Sequence, residues 1–308
     1  MDIKLPLTDS EQATLRAVAF FATFHYPVTV QEIVKYAHGY PLTVTHTWAA
    51  LQRFLAEGLV LNEGPLWTLE GEGRAFLERK NRYPFAILKH RSVVRWVNFL
   101  RLMPGVKGIA VGNSLAYHFT GERGDADLFI VTHPGQTWLT RLLTTLPFLL
   151  FRRRPGHQAQ HPIDLSFFMD EHHYDLSALQ LEHDPYLAHW LMSLSPVLGG
   201  EWWSTMWAKN QALYKNWPHA QAAERAYAFR CRAQPLPRIA LFNSLDKPAE
   251  ILERAQFPGG IRLLMNQDSR VRVEPGLLKF HTNDRRAEYA DRYSKLCSKY
   301  GLAPYPSC

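Results

Sequence analysis

The chain has 308 residues, 46% of them hydrophobic and 20% charged, with a formal net charge of +7. This composition excludes a disordered or low-complexity protein and supplies enough apolar surface for two domains. Residues 1 to 80 hold seven Lys/Arg against nine Asp/Glu, while the remainder holds 28 against 19, a net +9, so an acidic partner such as a polyphosphate or nucleic acid should meet the later part of the chain.

Cys231, Cys297 and Cys308 are too few and too far apart for a disulfide framework or a zinc knuckle, which points to a reducing cytoplasm. The first residues lack the basic-then-apolar order of a signal peptide. The most apolar stretch, 138 to 151, is interrupted by Arg141 and Pro147 and falls short of the roughly 20 residues of a membrane span. It reads as a buried core helix, and no transmembrane segment is expected. Arg152, Arg153 and Arg154 at its end either complement the helix dipole or bind nucleic acid, a phosphate group or an anionic membrane surface.

In chain order, Thr8 and Glu11 fit a capping box opening a helix over about residues 9 to 24. Thr29 caps a second helix ending at Tyr36, and a third runs from 44 to 57 and stops at Gly58. Apolar runs at 59 to 61 and 66 to 69 flank the turn Asn62-Glu63-Gly64-Pro65, a strand-turn-strand wing. Residues 1 to 80 therefore predict a winged helix-turn-helix. DNA reading by such a module needs Lys and Arg on the third helix, which carries only Arg53. A protein contact or scaffold role is favoured over DNA recognition.

A connecting helix is predicted within 81 to 104, with a basic face formed by Lys89, Arg91, Arg95 and Arg101. Residues 105 to 175 then alternate strand, short helix, strand, helix and strand, which predicts a small mixed sheet with flanking helices. Residues 176 to 308 read as mainly helical, with a last helix after Thr282-Asn283-Asp284. The expected fold class is α+β.

The chemistry is concentrated at Val111-Gly112-Asn113-Ser114 and Gly124-Asp125-Ala126-Asp127, followed by the apolar Leu128-Phe129-Ile130-Val131. Residues two apart on a strand share a face, so Asp125 and Asp127 point to one site. Paired carboxylates repel unless a cation lies between them, and Mg2+ (or Mn2+) supplies that charge while favouring phosphate oxygens as further ligands. Asp164, inside the apolar strand Ile163-Asp164-Leu165, would be costly to bury unpaired, and a neighbouring strand would bring it to the same cluster. Ser114 opens a short helix whose free N–H groups attract phosphate. Gly112 permits close backbone approach, and Arg141 either reaches a γ-phosphate or solvates its helix.

At these residues the sequence resembles the nucleotidyltransferase superfamily of the DNA polymerase beta type, over about residues 105 to 170. The resemblance implies that Asp125, Asp127 and Asp164 are catalytic metal ligands and that Ser114 binds phosphate. Asn113 stands where that family has glycine, and Gly124 where it often has serine. The whole chain also resembles uncharacterised bacterial proteins that place such a domain between a winged helix and a helical tail. The expected activity is transfer of a nucleoside monophosphate from a nucleoside triphosphate such as ATP to a hydroxyl of RNA, protein or a small molecule. The alternatives are a catalytically silent nucleotide-binding regulator that contacts DNA or protein through the winged helix, and a glycosyltransferase using Asp-x-Asp.

The histidines at 157, 161, 172, 173, 183 and 189 match no zinc spacing and are expected in loops or on the surface. Trp202, Trp203 and Trp207 recur at helical spacing and are expected in the core. Arg285 and Arg286 are expected as solvated charge.

Overall fold

The computed structural model describes residues 6–151, 161–182, 184–222 and 229–304. Three helices come first, α1 (Asp9–Ala22), α2 (Val30–Tyr36) and α3 (Val44–Ala56). Thr8 with Glu11, and Thr29 with Glu32, form reciprocal capping boxes that satisfy orphan amides in the first turns of α1 and α2. A hairpin follows, β1 (Val60–Glu63) and β2 (Leu66–Leu69), turning through Gly64 at φ 60°, and Val28 adds an antiparallel bridge to Trp67. Arg53 of α3 is held by Glu11 and Glu57, each at 2.8 Å, so its charge is already balanced.

α4 (Arg74–Leu100) starts ahead of the 81 to 104 predicted and continues through Pro84. A proline biases the residue before it away from helix, which makes Tyr83 resemble a boundary in the sequence. Nor is the basic face solvated throughout, since Lys89 is fully buried.

The later helices are α5 (Asn113–Ala116), α6 (Thr137–Leu150), α7 (Pro185–Ser193), α8 (Glu201–Lys209), α9 (Gln211–Tyr214), α10 (Asn243–Ala255), α11 (Gly259–Leu264) and α12 (Arg286–Lys299). Strands β3 (Val106–Val111), β4 (Ala126–Thr132), β5 (Ile163–Asp170), β6 (Ser195–Leu198), β7 (Val271–Glu274) and β8 (Leu277–Phe280) build one mixed sheet, in the order β6-β3-β4-β5-β8-β7. Within it β4 and β5 pair in parallel and the other neighbours antiparallel. The molecule is thus α+β with a six-stranded sheet and flanking helices.

Three of these strands correct the expectation of a mainly helical region after residue 176. Each is four residues long, too short for periodicity to separate strand from helix. β6 carries Pro196 and accordingly lies at a sheet edge. β7 and β8 form a hairpin at Gly276, whose φ of 82° suits glycine. Part of that region, residues 223–228, lies outside the described residues, as do Arg152, Arg153, Arg154, His157, His183 and Cys308.

Strand alternation sorts the sheet into two faces. Ile109, Val111, Leu128, Ile130 and Leu165 pack with α4, α6 and α10 on one side. Ala110, Phe129, Val131, Phe167 and Met169 pack on the other against α7 and α8, including Trp190, Trp202, Trp203 and Met206. The register slips by one residue between the pairs Asp127/Asp164 and Phe129/Phe167, a bulge in β5 of the kind that re-aims side chains. α6 buries Trp138, Leu139 and Phe148 as a core helix should, although Leu149, Leu150 and Phe151 at its end are exposed. Among the described residues, no helix is long and apolar enough to cross a membrane.

A third core unites the first helices with the end of the chain. Leu15, Val18, Phe20 and Phe21 of α1 share it with Met192 of α7 and with Tyr293 and Cys297 of α12. His189, expected in a loop or on the surface, is instead 3% exposed, its ring stacked 3.7 Å from that of Phe20 and 5.3 Å from that of Tyr36. Burial pushes its imidazole down to about 3, so it serves as a neutral packing group.

Candidate active site

The site forms where β3 ends and the parallel pair β4 and β5 begins. Asp127 stands directly opposite Asp164 in the β4/β5 register, and Asp125 precedes Asp127 by two residues. Gly112 caps α5, and its amide donates to the carbonyl of Asp127 at 3.1 Å, which ties the end of β3 to the start of β4. Asn113 takes up the left-handed backbone at φ 52°, a conformation that asparagine tolerates better than most residues. Its side chain hydrogen-bonds Asp127, and its Oδ1 accepts from the Tyr186 hydroxyl at 3.4 Å.

The turn before Asp125 is anchored from beneath. The buried ammonium of Lys89 donates to the carbonyls of Gly121, at 2.6 Å, and Gly124, and it attracts Asp125 electrostatically. Burial lowers the Lys89 ammonium from its ordinary value while Asp125 and Glu122 oppose the shift. In sequence this lysine is indistinguishable from a surface cation of α4, and only the fold reveals its role.

Asp125, Asp127, Asp164, Asn113 and Ser114 all line one cavity of about 480 Å³, within the range of about 300–1,000 Å³ typical of small-molecule sites. α5 is only one turn long, so it offers free amides to a phosphate without a developed macrodipole. Two expected residues lie elsewhere. Gly112 sits behind the cavity wall, where an added Cβ would press on the Trp190 indole at 3.1 Å. Arg141 is paired with Glu253 of α10, its guanidinium 4.4 Å from the Phe280 ring centre. It belongs to the face of the sheet turned away from the aspartates, because α6 packs on that side.

The rest of the wall comes from segments that carry no motif. Phe20 reaches in from α1, Phe24 and Tyr26 from the turn after it, and Tyr186 and Tyr289 from α7 and α12. A buried ionic clamp also lines the cavity. Lys279 Nζ meets Asp284 Oδ2 at 3.0 Å, and Arg286 joins Asp284 and Asp184, each at 2.9 Å, the Leu179 carbonyl and the Ser269 hydroxyl. Burial acts to raise the Asp284 carboxyl, but its bonds to Arg286 and the nearby Lys279 prevail and hold it down to about 2. His281 Nε2 lies 2.7 Å from the Ser166 hydroxyl, and burial, reinforced by Lys279, pushes its imidazole down to about 4. Arg286 is thus structural rather than solvated, whereas Arg285 is half-exposed and bonded to Glu288. α12 starts just after Thr282-Asn283-Asp284, with Arg285 at its N-cap, and β8, too short to read from periodicity, is the strand that brings Lys279 and His281 to the site.

Burial, reinforced by Asp125 and Asp164, pushes the Asp127 carboxyl from 3.8 up to about 8. Without divalent ions the folded protein therefore keeps a proton that the unfolded chain releases near pH 4. A folded value above the unfolded one contributes stability that is complete below about pH 4 and lost as pH rises through about 8. We predict a component of the metal-free melting temperature that declines across this window and is missing in Asp127→Asn. A divalent ion binding at pH 7 should release about one proton, seen as a buffer-dependent heat. Identical pH profiles for the two proteins would refute this.

Asp127, Asp164 and His281 each offer one ligand atom within 4.8 Å of the others, so the residues present fit a divalent cation. Asp125 lines the same cavity but is not part of this group. No family model matches the chain, and neither curated proteins nor solved structures provide a match.

Proposed function

We propose that the protein is a divalent-metal-dependent nucleotidyltransferase that moves a nucleoside monophosphate from a nucleoside triphosphate to an acceptor hydroxyl and releases pyrophosphate. The observation that carries this reading is the side-by-side placement of Asp127 and Asp164 on parallel strands, with Asp125 beside them, at the wall of a ligand-sized cavity.

Mg2+ or Mn2+ would be held by Asp127 with Asp125 or Asp164, and when bound would neutralise charge building on the phosphates. The chain's own groups take the remaining roles. Asp164 receives the proton of the acceptor hydroxyl, and Ser114 donates a hydrogen bond to a phosphate oxygen. Lys89 fixes the turn that presents Asp125. Phe20, Phe24 and Tyr289 supply flat apolar surface for a nucleobase and exclude water from the phosphates.

The first three helices with the β1–β2 hairpin are read as a winged helix. The ion pairs of Arg53 support a scaffold or protein contact over DNA recognition. Cys231 and Cys297, both free thiols, fit a cytoplasmic setting.

The reading is tested by incubating the protein with each α-phosphate-labelled nucleoside triphosphate, Mg2+ or Mn2+, and a cell extract. Label should enter RNA, protein or a small molecule with stoichiometric pyrophosphate. Nucleotide binding without transfer would favour a silent regulator, and transfer from nucleotide sugars alone would favour a glycosyltransferase.

A further inference from the structure

The strand order β4-β5-β8 sets three potential ligands in a row. Asp127 is on β4, Asp164 faces it from β5, and His281 is the residue that follows β8. Their ligand atoms converge within 4.8 Å although they come from segments separated by some 37 and 117 residues of chain. All three line the same cavity.

From this geometry we propose that Asp127, Asp164 and His281 form a mixed carboxylate–imidazole site that selects a first-row transition-metal ion, such as Mn2+, Co2+ or Zn2+, over Mg2+. The proposal deepens the metal part of the transferase reading and rests on it only for the use to which the ion is put. The donor set decides the preference. Mg2+ favours an all-oxygen, near-octahedral shell and keeps its waters, whereas an imidazole nitrogen suits Zn2+, Co2+ and their neighbours.

Two features of the surroundings agree with a functional ion position. First, the ring of His281 is oriented by Ser166, the residue two beyond Asp164 on β5, through the 2.7 Å contact at Nε2. Metal-binding histidines are commonly held by such an outer partner. Second, the positive groups nearest His281 balance themselves: Lys279 and Arg286 are matched by Asp284 and Asp184 in the buried clamp. A cation entering beside them therefore meets a nearly neutral neighbour. With three protein ligands, the ion would keep open positions facing the cavity, the arrangement of a catalytic rather than a structural site.

The test uses the full chain with Mn2+, Co2+ and Mg2+ as separate probes and no nucleotide. Mn2+ is followed by the loss of its free electron paramagnetic resonance signal, Co2+ by its visible d–d absorption, and Mg2+ by calorimetry. Wild type should bind Mn2+ and Co2+ at least about tenfold more tightly than Mg2+. His281→Gln should lose about 10- to 100-fold in Mn2+ and Co2+ affinity and shift the Co2+ band, with Mg2+ affinity changed less than about threefold, and Ser166→Ala should lose about tenfold. Circular dichroism of each variant establishes that it is folded, and His281→Asn replaces any that is not. A preference for Mg2+, or undiminished Mn2+ binding by folded His281→Gln, overturns the mixed site and leaves a carboxylate-only transferase standing. Absence of all divalent binding in wild type overturns both.

Discussion

Under the proposed function, Asp127→Asn should abolish divalent-ion-dependent nucleotide binding and lower nucleotidyl transfer by at least about 10³-fold. The substitution keeps the shape of the side chain and removes only its charge. Asp127 is the member of the cluster common to both carboxylate pairs, Asp125/Asp127 and Asp127/Asp164, and also to the group with His281. A neutral amide there leaves the cation with one fewer anionic ligand. Isothermal titration with ATP and Mg2+ or Mn2+, run on both proteins, measures the loss directly, and equal heats would end the nucleotidyltransferase proposal. The same variant separates function from folding. A carboxyl held up at about 8 destabilises the metal-free fold once it ionises, so the amide variant should melt no lower than wild type above that pH.

Arg286→Ala should be the most destabilising single change near the cavity, at about 3–5 kcal/mol. Its side chain is 8% exposed and bonds four partners: Asp184, Asp284, the Leu179 carbonyl and the Ser269 hydroxyl. Truncation strands the Asp184 carboxylate, itself 1% exposed, without its cation. In a chain of this size the loss corresponds to a fall of roughly 5–8 °C in Tm. Arg286→Lys should recover less than half, because an ammonium cannot form the forked contacts of a guanidinium. Differential scanning calorimetry decides it, and a Tm within about 2 °C of wild type for Arg286→Ala would mean that the clamp carries no net stability.

How much of this could be read beforehand depended on how local each signal was. Asp125, Asp127 and Asp164 were legible because charged residues opening or interrupting apolar strands contradict burial, and a contradiction of that kind asks for a partner. Asn113 and Ser114 followed from their place after a strand. The capping box of Thr8 with Glu11 and the cap at Thr29 mark two helix starts because each is a local signal, and the fold adds Glu32 as the second half of a box at Thr29. Arg141 stays open in the sequence between a phosphate contact and a solvated helix surface, because nothing local says which face of the sheet α6 covers, and in the fold it pairs with Glu253. His281 and Lys89 were opaque for the same reason. Each acts on residues far away in the chain, and its role exists only once β8 joins β5 or α4 passes beneath the Gly121–Gly124 turn.

The core shared by α1, α7 and α12 has a thermodynamic corollary. Phe20 and Phe24 stand on one wall of the cavity while neighbouring α1 side chains are embedded in the same apolar mass as Met192 and Tyr293. For a ligand whose contact with Phe20 and Phe24 shifts the first helices, occupancy of the cavity and the placement of those helices are linked variables. Whatever engages the outer surface of those helices and favours their bound-state position must tighten ligand affinity by the same factor by which ligand tightens that engagement.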